Sequence, residues 1–545
     1  MLRINRLLLF RFSCALVSFV LATVVFAQSK QPEPTPEEKA AREAMSANVG
    51  FRAYVFEGSD VPKPVTSPDN SFAGSVTIYD HNGAKLGSTF EVGPYFAEIK
   101  TKPEKQAPAT RYVTLFRMLR KPAADWKFDP AKPLDLAELI GVDRKVIETE
   151  SKLIAEVCKD RPFKQLESDP KFARLLAGLA LTPKDTTRVS RLNDAFAYER
   201  QAWVTLRRKI TGLDKEFPKP FDGPDLIKGI PATEVREGTE AEAKVKPGTA
   251  AKIDAALTEW AKDDDQAFAV CIVRNGVIVL HKAYGIRDGK PMTVDTPSWM
   301  ASITKPMSAS LVLMLADRGL LTLDDPVGKF SPALRDIKVT KPLQIRHLHT
   351  HTNGLDKFPS GDDTQNDLEY RIADCYPVLK VGSAWAYNGG GYALGGKIIE
   401  NVTGESVPLF YKKHLLDPLG CTGTEVNGTH ADAFSIPLDI AKFGQMLLNR
   451  GAYGKYRFFS EETFELMLPR KLTTELGPDA TKTFGFGLDG QPRKFGHGAA
   501  SAATFSVDVD RKLVVIMTRN KIGKNQDKYN GKFWEAINSG LEPLK

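Results

Sequence analysis

The stretch AFAVCIVRNGVIVLHKAYG, Ala267 to Gly285, holds two apolar runs that meet at Asn275-Gly276. Asn-Gly between such runs is the strongest short-range hairpin signal, because both turn positions of a type I′ turn need φ > 0. A second pair, AATFSVDVDRKLVVIMTRN, lies far downstream at Ala502–Asn520 with a tight turn around Asp510–Lys512. A helical pattern, TAAKIDAALTEWAKD, precedes the first pair, and another around Lys532–Asn538 follows the second. The chain between them reads as largely helical. Strands at both ends with helices between predict one sheet assembled from the two ends of the block 248–545. The middle then forms a helical subdomain, with a cleft at the junction where ligands usually bind.

Just after the first strand pair comes WMASITKPMSASLVLML, Trp299 to Leu315, a buried-helix pattern with Ser302 and Lys305 near its start. Gly319 supplies a C-terminal stop. Pro306 cannot donate the bond that the Ser302 carbonyl would receive, a loss tolerable only in a first turn. Ser302 is therefore expected at or beside the helix start, with Lys305 nearly one turn on and over the same face. The helix N-terminus favours negative charge on an attacking hydroxyl. Burial of the lysine favours its neutral form, letting it exchange the serine's proton. Ser-x-x-Lys by itself is common and is equally compatible with surface decoration at a helix end.

Two further features sharpen the reading. SAWAYNGGGYALGG, Ser383–Gly396, places Tyr387 beside three glycines that allow backbone to approach a ligand. In KFGHGAASAATF, His497 stands between Gly496 and Gly498 at the start of a strand whose small residues leave room for substrate. Tyr387 is a candidate general base if cations lie near it.

The serine-lysine pair, the Tyr-Gly loop and the Gly-His-Gly strand, in that order, resemble the serine β-lactamase-like and penicillin-binding family. The branch concerned holds class C β-lactamases, D-Ala-D-Ala carboxypeptidases and related esterases. LQIRHLHTHTNGL, Leu343–Leu355, and KAYGIRDG, Lys282–Gly289, are similar to further segments of that family. The resemblance covers the C-terminal 300 or so residues. It implies a mostly antiparallel sheet flanked by helices plus a helical subdomain, an α/β fold of the β-lactamase/transpeptidase kind. It implies Ser302 as the nucleophile of an acyl-enzyme and Lys305 as its proton partner, the identity of the acylation base being disputed in the superfamily. Tyr387 would share the base role and protonate the leaving group, and His497 would help orient Tyr387 and the substrate. The oxyanion hole would be the backbone N–H groups of Ser302 and Ala500, and Asn388, Gly389, Gly498 and Ala499 would line the substrate.

Two departures from the family pattern bear on substrate. Where many members have Tyr-x-Asn, this chain has Tyr387-Asn388-Gly389, so the amide that grips a lactam or peptide is absent or displaced by one. The strand motif has His497 where class C β-lactamases use lysine, and Ala499 where glycine is usual. Both point to a carboxypeptidase-like or esterase-like acyl hydrolase with weak or no β-lactamase activity. The competing reading is a non-catalytic protein that binds cell-wall peptide through a degenerate hydrolase domain. No cofactor is implied. His347, His349 and His351 raise a zinc reading, but no acidic or histidine partner stands at metal spacing.

Outward from this block the chain changes character. Residues 1–27 combine Arg3, Arg6 and Arg11 with an apolar run from Phe12 to Phe26 and a small-residue site at Ala27, the pattern of a secretory signal peptide. An uncleaved anchor is the alternative, against which the run is short for a span of about 20 residues. Residues 28–49 are Pro-, Glu- and Lys-rich and read as a flexible linker. Residues 50–120 alternate apolar and polar residues about a turn at Asp80–Gly83 and read as a small all-β sandwich. Residues 130–215 show helical spacing, and 216–247 read as a Pro/Gly-rich linker. A length of 545 residues requires several domains, and 42% hydrophobic with 26% charged residues excludes a disordered or fibrous chain. The formal charge of +8, part of it in the leader, is too diffuse for a nucleic-acid partner. Outside the leader, Cys158, Cys271, Cys375 and Cys421 are too few and too scattered for a disulfide scaffold. The expected product is secreted or periplasmic, with no integral membrane segment and a small-molecule or peptide substrate such as a cell-wall peptide.

Overall fold

The computed structural model describes residues 35–36, four strands between 54 and 119, residues 201, 204–205, 207–209, 211–358, 368–426 and 428–544. The leader, the 28–49 linker beyond residues 35–36, the Asp80–Gly83 turn and most of the 130–215 helical region lie outside the described residues. The strands are β1 (Tyr54–Phe56), β2 (Gly74–Tyr79), β3 (Gly93–Thr101) and β4 (Arg111–Leu119). They form one sheet in the order β1-β4-β3-β2, with β1 parallel to β4 and the other pairs antiparallel. Tyr79 pairs with Phe96, so the β2–β3 connection is longer than the expected four-residue turn. The second layer of a sandwich is not among the described residues.

The C-terminal block has the two-ended sheet expected of it. α1 (Thr249–Lys262) leads into β5 (Phe268–Arg274) and β6 (Val277–Tyr284). α2 (Thr304–Asp317), α3 (Gly390–Thr403) and α4 (Pro437–Leu448) belong to the middle. β7 (Asp489–Gln491), β8 (Lys494–Gly498), β9 (Thr504–Asp508), β10 (Leu513–Thr518) and α5 (Gln526–Gly540) close the chain. The sheet order is β7-β8-β9-β10-β5-β6, antiparallel throughout, so the last strand of the chain sits beside the first of the block. Asn275 (φ 56°) and Gly276 (φ 78°) make the hairpin turn as their identities require.

The side-chain period of two splits the central strands between two cores. Phe268, Val270, Ile272, Leu513, Val515 and Met517 face α1 and α5, where Trp260 and Phe533 pack. Cys271, Val273, Val514 and Ile516 face the larger core that contains α2 and α4. With both faces covered, these strands read as unbroken apolar runs rather than as alternation. α2 is buried from Thr304 to Leu315, and Gly319 (φ 67°) ends it while Leu320 N–H returns to Leu315 O at 3.0 Å.

The stretch 201–247 is strapped along this domain. Asp225–Leu226 pairs with Tyr456–Arg457, and bridges join Ala232 to Gly454, Arg236 to Val277 and Val245 to Leu541. Arg207 is buried against the end of α3, giving hydrogen bonds to Glu400 Oε2 (3.0 Å) and Asn401 Oδ1 (3.2 Å). Among the described residues no helix is long and apolar enough to cross a membrane.

Candidate active site

Ser302 occupies a 3-10 turn, Ala301–Ile303, that opens α2. The missing N–H of Pro306 is the local reason, since the turn tightens to shorter-range bonds such as Ile303 N–H to Met300 O at 3.0 Å. The turn is pinned from two sides. Met300 N–H donates to Ala433 O (2.8 Å) and Trp299 N–H to Asn520 Oδ1 (2.8 Å). Thr304 Oγ1 donates to Ala301 O (2.6 Å) and accepts from Ala433 N–H (3.0 Å). Ala301 is held at φ 46°, a left-handed conformation that costs a non-glycine residue about 1–2 kcal/mol.

Lys305, only 2% exposed, donates from Nζ to Ser302 Oγ (3.2 Å) and to the His430 carbonyl (2.8 Å). Its ammonium lies 4.8 Å from the Tyr387 ring centre and 5.4 Å from that of Tyr392. Tyr387 Oη donates to Ser302 Oγ at 2.8 Å, and the tyrosine is 46% exposed, so one edge of the group opens to solvent. The three side chains expected to act together therefore meet at one oxygen. A hydroxyl so placed can pass its proton to whichever neighbour is unprotonated, a Lys305 amine or a Tyr387 phenolate, as it attacks a carbonyl.

β8 runs beside the Ser302 turn. His497 on it bonds through Nδ1 to Gly498 O at 2.6 Å; a carbonyl only accepts, so Nδ1 carries the hydrogen. Burial, with Lys305 nearby, pushes this imidazole down to about 4, so it is neutral at pH 7. Its ring centre is 6.1 Å from that of Tyr387, and Nε2 finds no partner among the described residues. A Cβ at Gly498 would meet nothing within 4 Å, whereas one at Gly496 would strike Phe505 O at 1.9 Å. Gly496 is thus demanded by strand pairing, and Gly498 faces open space. Among the described residues neither Ser302 N–H nor Ala500 N–H donates to an internal acceptor, and Ala499 packs against the core.

The Tyr387 loop explains the departure at 388–389. Asn388 spends its side chain on the backbone, donating Nδ2 to Ala386 O (2.8 Å) and accepting Gly391 N–H on Oδ1 (3.2 Å). A Cβ at Gly389 would lie 2.8 Å from Cδ2 of His430, so that imidazole fills the space of a side chain at 389. Sequence reasoning passed over His430, because no motif surrounds it and its place depends on the Lys305–carbonyl bond. The three histidines of the 347–351 run have separate surroundings. His347 Nδ1 accepts Gln344 N–H, His349 lies between Tyr392 and Phe486, and His351 packs under Tyr387. Burial pushes His347 down to about 4 and His349 down to about 3.

A family model described as Beta-lactamase matches residues 257–535, just over half of the chain. The chain is similar to "Esterase EstB" of Burkholderia gladioli, 31% identical over 34% of this chain and 54% of that protein. It is also similar to "Teichoic acid D-alanine hydrolase" of Staphylococcus aureus (strain MRSA252), 31% identical over 28% of this chain and 38% of that protein. The chain thus spans about half or less of the length of these relatives. A penicillin-binding protein homolog from Caulobacter crescentus is a solved structure with 17% identity, covering 55% of this chain and 99% of that one at a TM-score of 0.47.

Proposed function

The chain belongs to the beta-lactamase family, and from that premise we propose that it is a secreted serine hydrolase acting through a Ser302 acyl-enzyme on a peptide amide or ester. The observation that carries this reading is the pair of hydrogen bonds to Ser302 Oγ, from Lys305 Nζ at 3.2 Å and Tyr387 Oη at 2.8 Å. In the proposed cycle the oxygen attacks the acyl carbon while its proton passes to the Lys305–Tyr387 pair, which enters the step one proton short, as amine and phenol or as ammonium and phenolate. Ser302 N–H and Ala500 N–H take the oxyanion, such donors being worth about 10²–10³ each in rate. Tyr387 then gives a proton to the leaving group, and water, deprotonated by the same pair, hydrolyses the ester. His497 and Gly498 border the acyl group.

The esterase and D-alanine hydrolase names of the relatives support acyl transfer to water. The engaged amide of Asn388 and the filled space at Gly389 support weak or no β-lactamase activity. We place the other domain boundaries as the sequence implies, with a leader removed near Ala27 and a secreted or periplasmic product, but join residues 216–247 to the hydrolase domain against which they pair. Covalent labelling by a fluorophosphonate or a fluorescent penicillin, with Ser302→Ala as control, tests the mechanism. Labelling lost in the variant is expected, and a wild-type chain that neither probe labels would favour the binding-protein reading. Rates on a p-nitrophenyl ester, nitrocefin and a D-Ala-D-Ala peptide then sort the substrate, with nitrocefin expected to be slower than the ester.

A further inference from the structure

Tyr387 sits on a loop, half exposed, yet its hydroxyl must stay within bonding distance of Ser302 for a proton to pass. The residues on either side of it are both tied to one partner. Ala386 N–H donates to His351 O at 2.9 Å, and Asn388 N–H donates to His351 Nδ1 at 3.2 Å. The His351 ring lies 4.3 Å from the Tyr387 ring, centre to centre, tilted by 33°. We propose that His351 is the positioning residue for Tyr387, gripping the backbone on both sides of the tyrosine and backing its ring. This rests on the Ser302–Tyr387 reading above.

Three observations set His351 apart from an ordinary core histidine. Its backbone is left-handed, at φ 59°, a conformation uncommon outside glycine although histidine tolerates it better than most. That turn brings carbonyl and Nδ1 to bear on the same loop. Its ring is fully enclosed by Tyr387, Tyr392, Trp385 and Phe484. Because Nδ1 accepts, the ring hydrogen sits on Nε2, which has no acceptor among the described residues, an arrangement that costs stability and persists only where something requires it. Burial, with Lys305, His497 and His349 facing it, keeps the imidazole neutral, and a protonated ring could not accept from Asn388.

The test is a double-mutant cycle read as the rate constant for fluorophosphonate labelling of Ser302. Misplacing a reacting group by about 1 Å costs on the order of 10²-fold. His351→Ala is therefore expected to slow labelling by about that factor, but by less than about threefold when Tyr387 is already Phe, because its effect runs through the phenol. His351→Asn keeps an acceptor and tolerates the left-handed backbone, so it should recover about tenfold of the loss. Should His351→Ala fail to fold, the cycle is run with His351→Asn, expected to cost about tenfold with Tyr387 present and nothing in its absence. An equal loss in both backgrounds, for whichever variant folds, overturns the proposal and leaves the hydrolase reading intact. A wild-type chain that resists labelling overturns the hydrolase reading, and the positioning role with it.

Discussion

Two arginine contacts involving the 201–216 stretch differ mainly in burial, which makes a controlled comparison. Arg207 is 2% exposed and bonds Glu400, itself fully buried, while Glu369 Oε2 stands 4.0 Å away and Lys397 bonds the same Glu400 oxygen, Oε2, at 3.1 Å. Among the described residues, two carboxylates here face two cations. Arg207→Ala takes one cation from beside two buried carboxylates, and breaking a buried pair in this way costs about 3–5 kcal/mol. Arg335 makes a bidentate pair with Glu216 at 2.8 Å, but the side chains are 38% and 39% exposed. Arg335→Ala should cost no more than about 1 kcal/mol. At roughly 2–4 °C per kcal/mol, the thermal midpoint should fall by about 6–20 °C for Arg207→Ala and by a few degrees at most for Arg335→Ala. Equal midpoint shifts for the two variants, by calorimetry or circular dichroism, would refute the view that the residues before 248 are built into the hydrolase domain.

Tyr387→Phe removes one hydrogen bond to Ser302 and keeps the ring; labelling and ester hydrolysis should fall by about 10²–10⁴ with an unchanged midpoint, and activity close to wild type would exclude Tyr387 as a proton carrier. Gly389→Ala forces the His430 ring to move and should cost about 1–3 kcal/mol in chemical unfolding, a cost that His430→Ala should largely relieve; the same cost in both backgrounds would show that the ring is not the obstacle. His347, His349, His351 and His497 are all neutral when folded, their rings pushed below the ordinary value by burial. The unfolded chain protonates them near pH 6.5 and so binds more protons. Stability is therefore full above about pH 6.5 and declines as pH falls toward about 4, with a proton uptake on unfolding of more than about two at pH 5.5. A pH-independent free energy of unfolding between pH 7 and 5 would contradict this.

What was legible in the sequence was local. Asn275-Gly276 announces its hairpin because only two residues are involved, and Ser302 with Lys305 shows because helical spacing puts them on one face. Tyr387 and His497 carry no such geometry in their spacing; they became readable through resemblance to a family whose order of motifs they share. His430 and Arg207 were illegible for a physical reason. Each acts across a long sequence separation, through a carbonyl under an ammonium or an ion pair at a helix end, and neither contact leaves a periodic trace. The 216–247 stretch misled in the same way. Its Pro and Gly content reads as a linker, yet its short backbone pairings with Tyr456–Arg457, Gly454 and Val277 are sequence-tolerant and so invisible in composition.

The backbone itself marks where precision is concentrated. Among the described residues, eight non-glycine residues have positive φ. Asn275, Asp288 and Lys512 are hairpin turn positions, where such angles serve the turn. Ala301 and His351 lie in no hairpin, and they stand beside Ser302 and under Tyr387; Ala502 lies in the loop that joins β8 to β9, just after Ala500. Conformations of this kind persist only where the surroundings over-determine them, at about 1–3 kcal/mol each. Here the surroundings are main-chain clamps: Met300 to Ala433, Ala386 and Asn388 to His351, and Ala502 to Ala499 at 2.9 Å. Side-chain packing alone lets a rotamer drift by tenths of an ångström, whereas a peptide group bonded at both ends does not. In the proposed site, Ser302, the Tyr387 phenol and the Ala500 N–H each follow or adjoin one residue of positive φ held in this manner. On the proposed reading, these conformations are the cost of aiming three groups from three distant parts of the chain at a single acyl carbon.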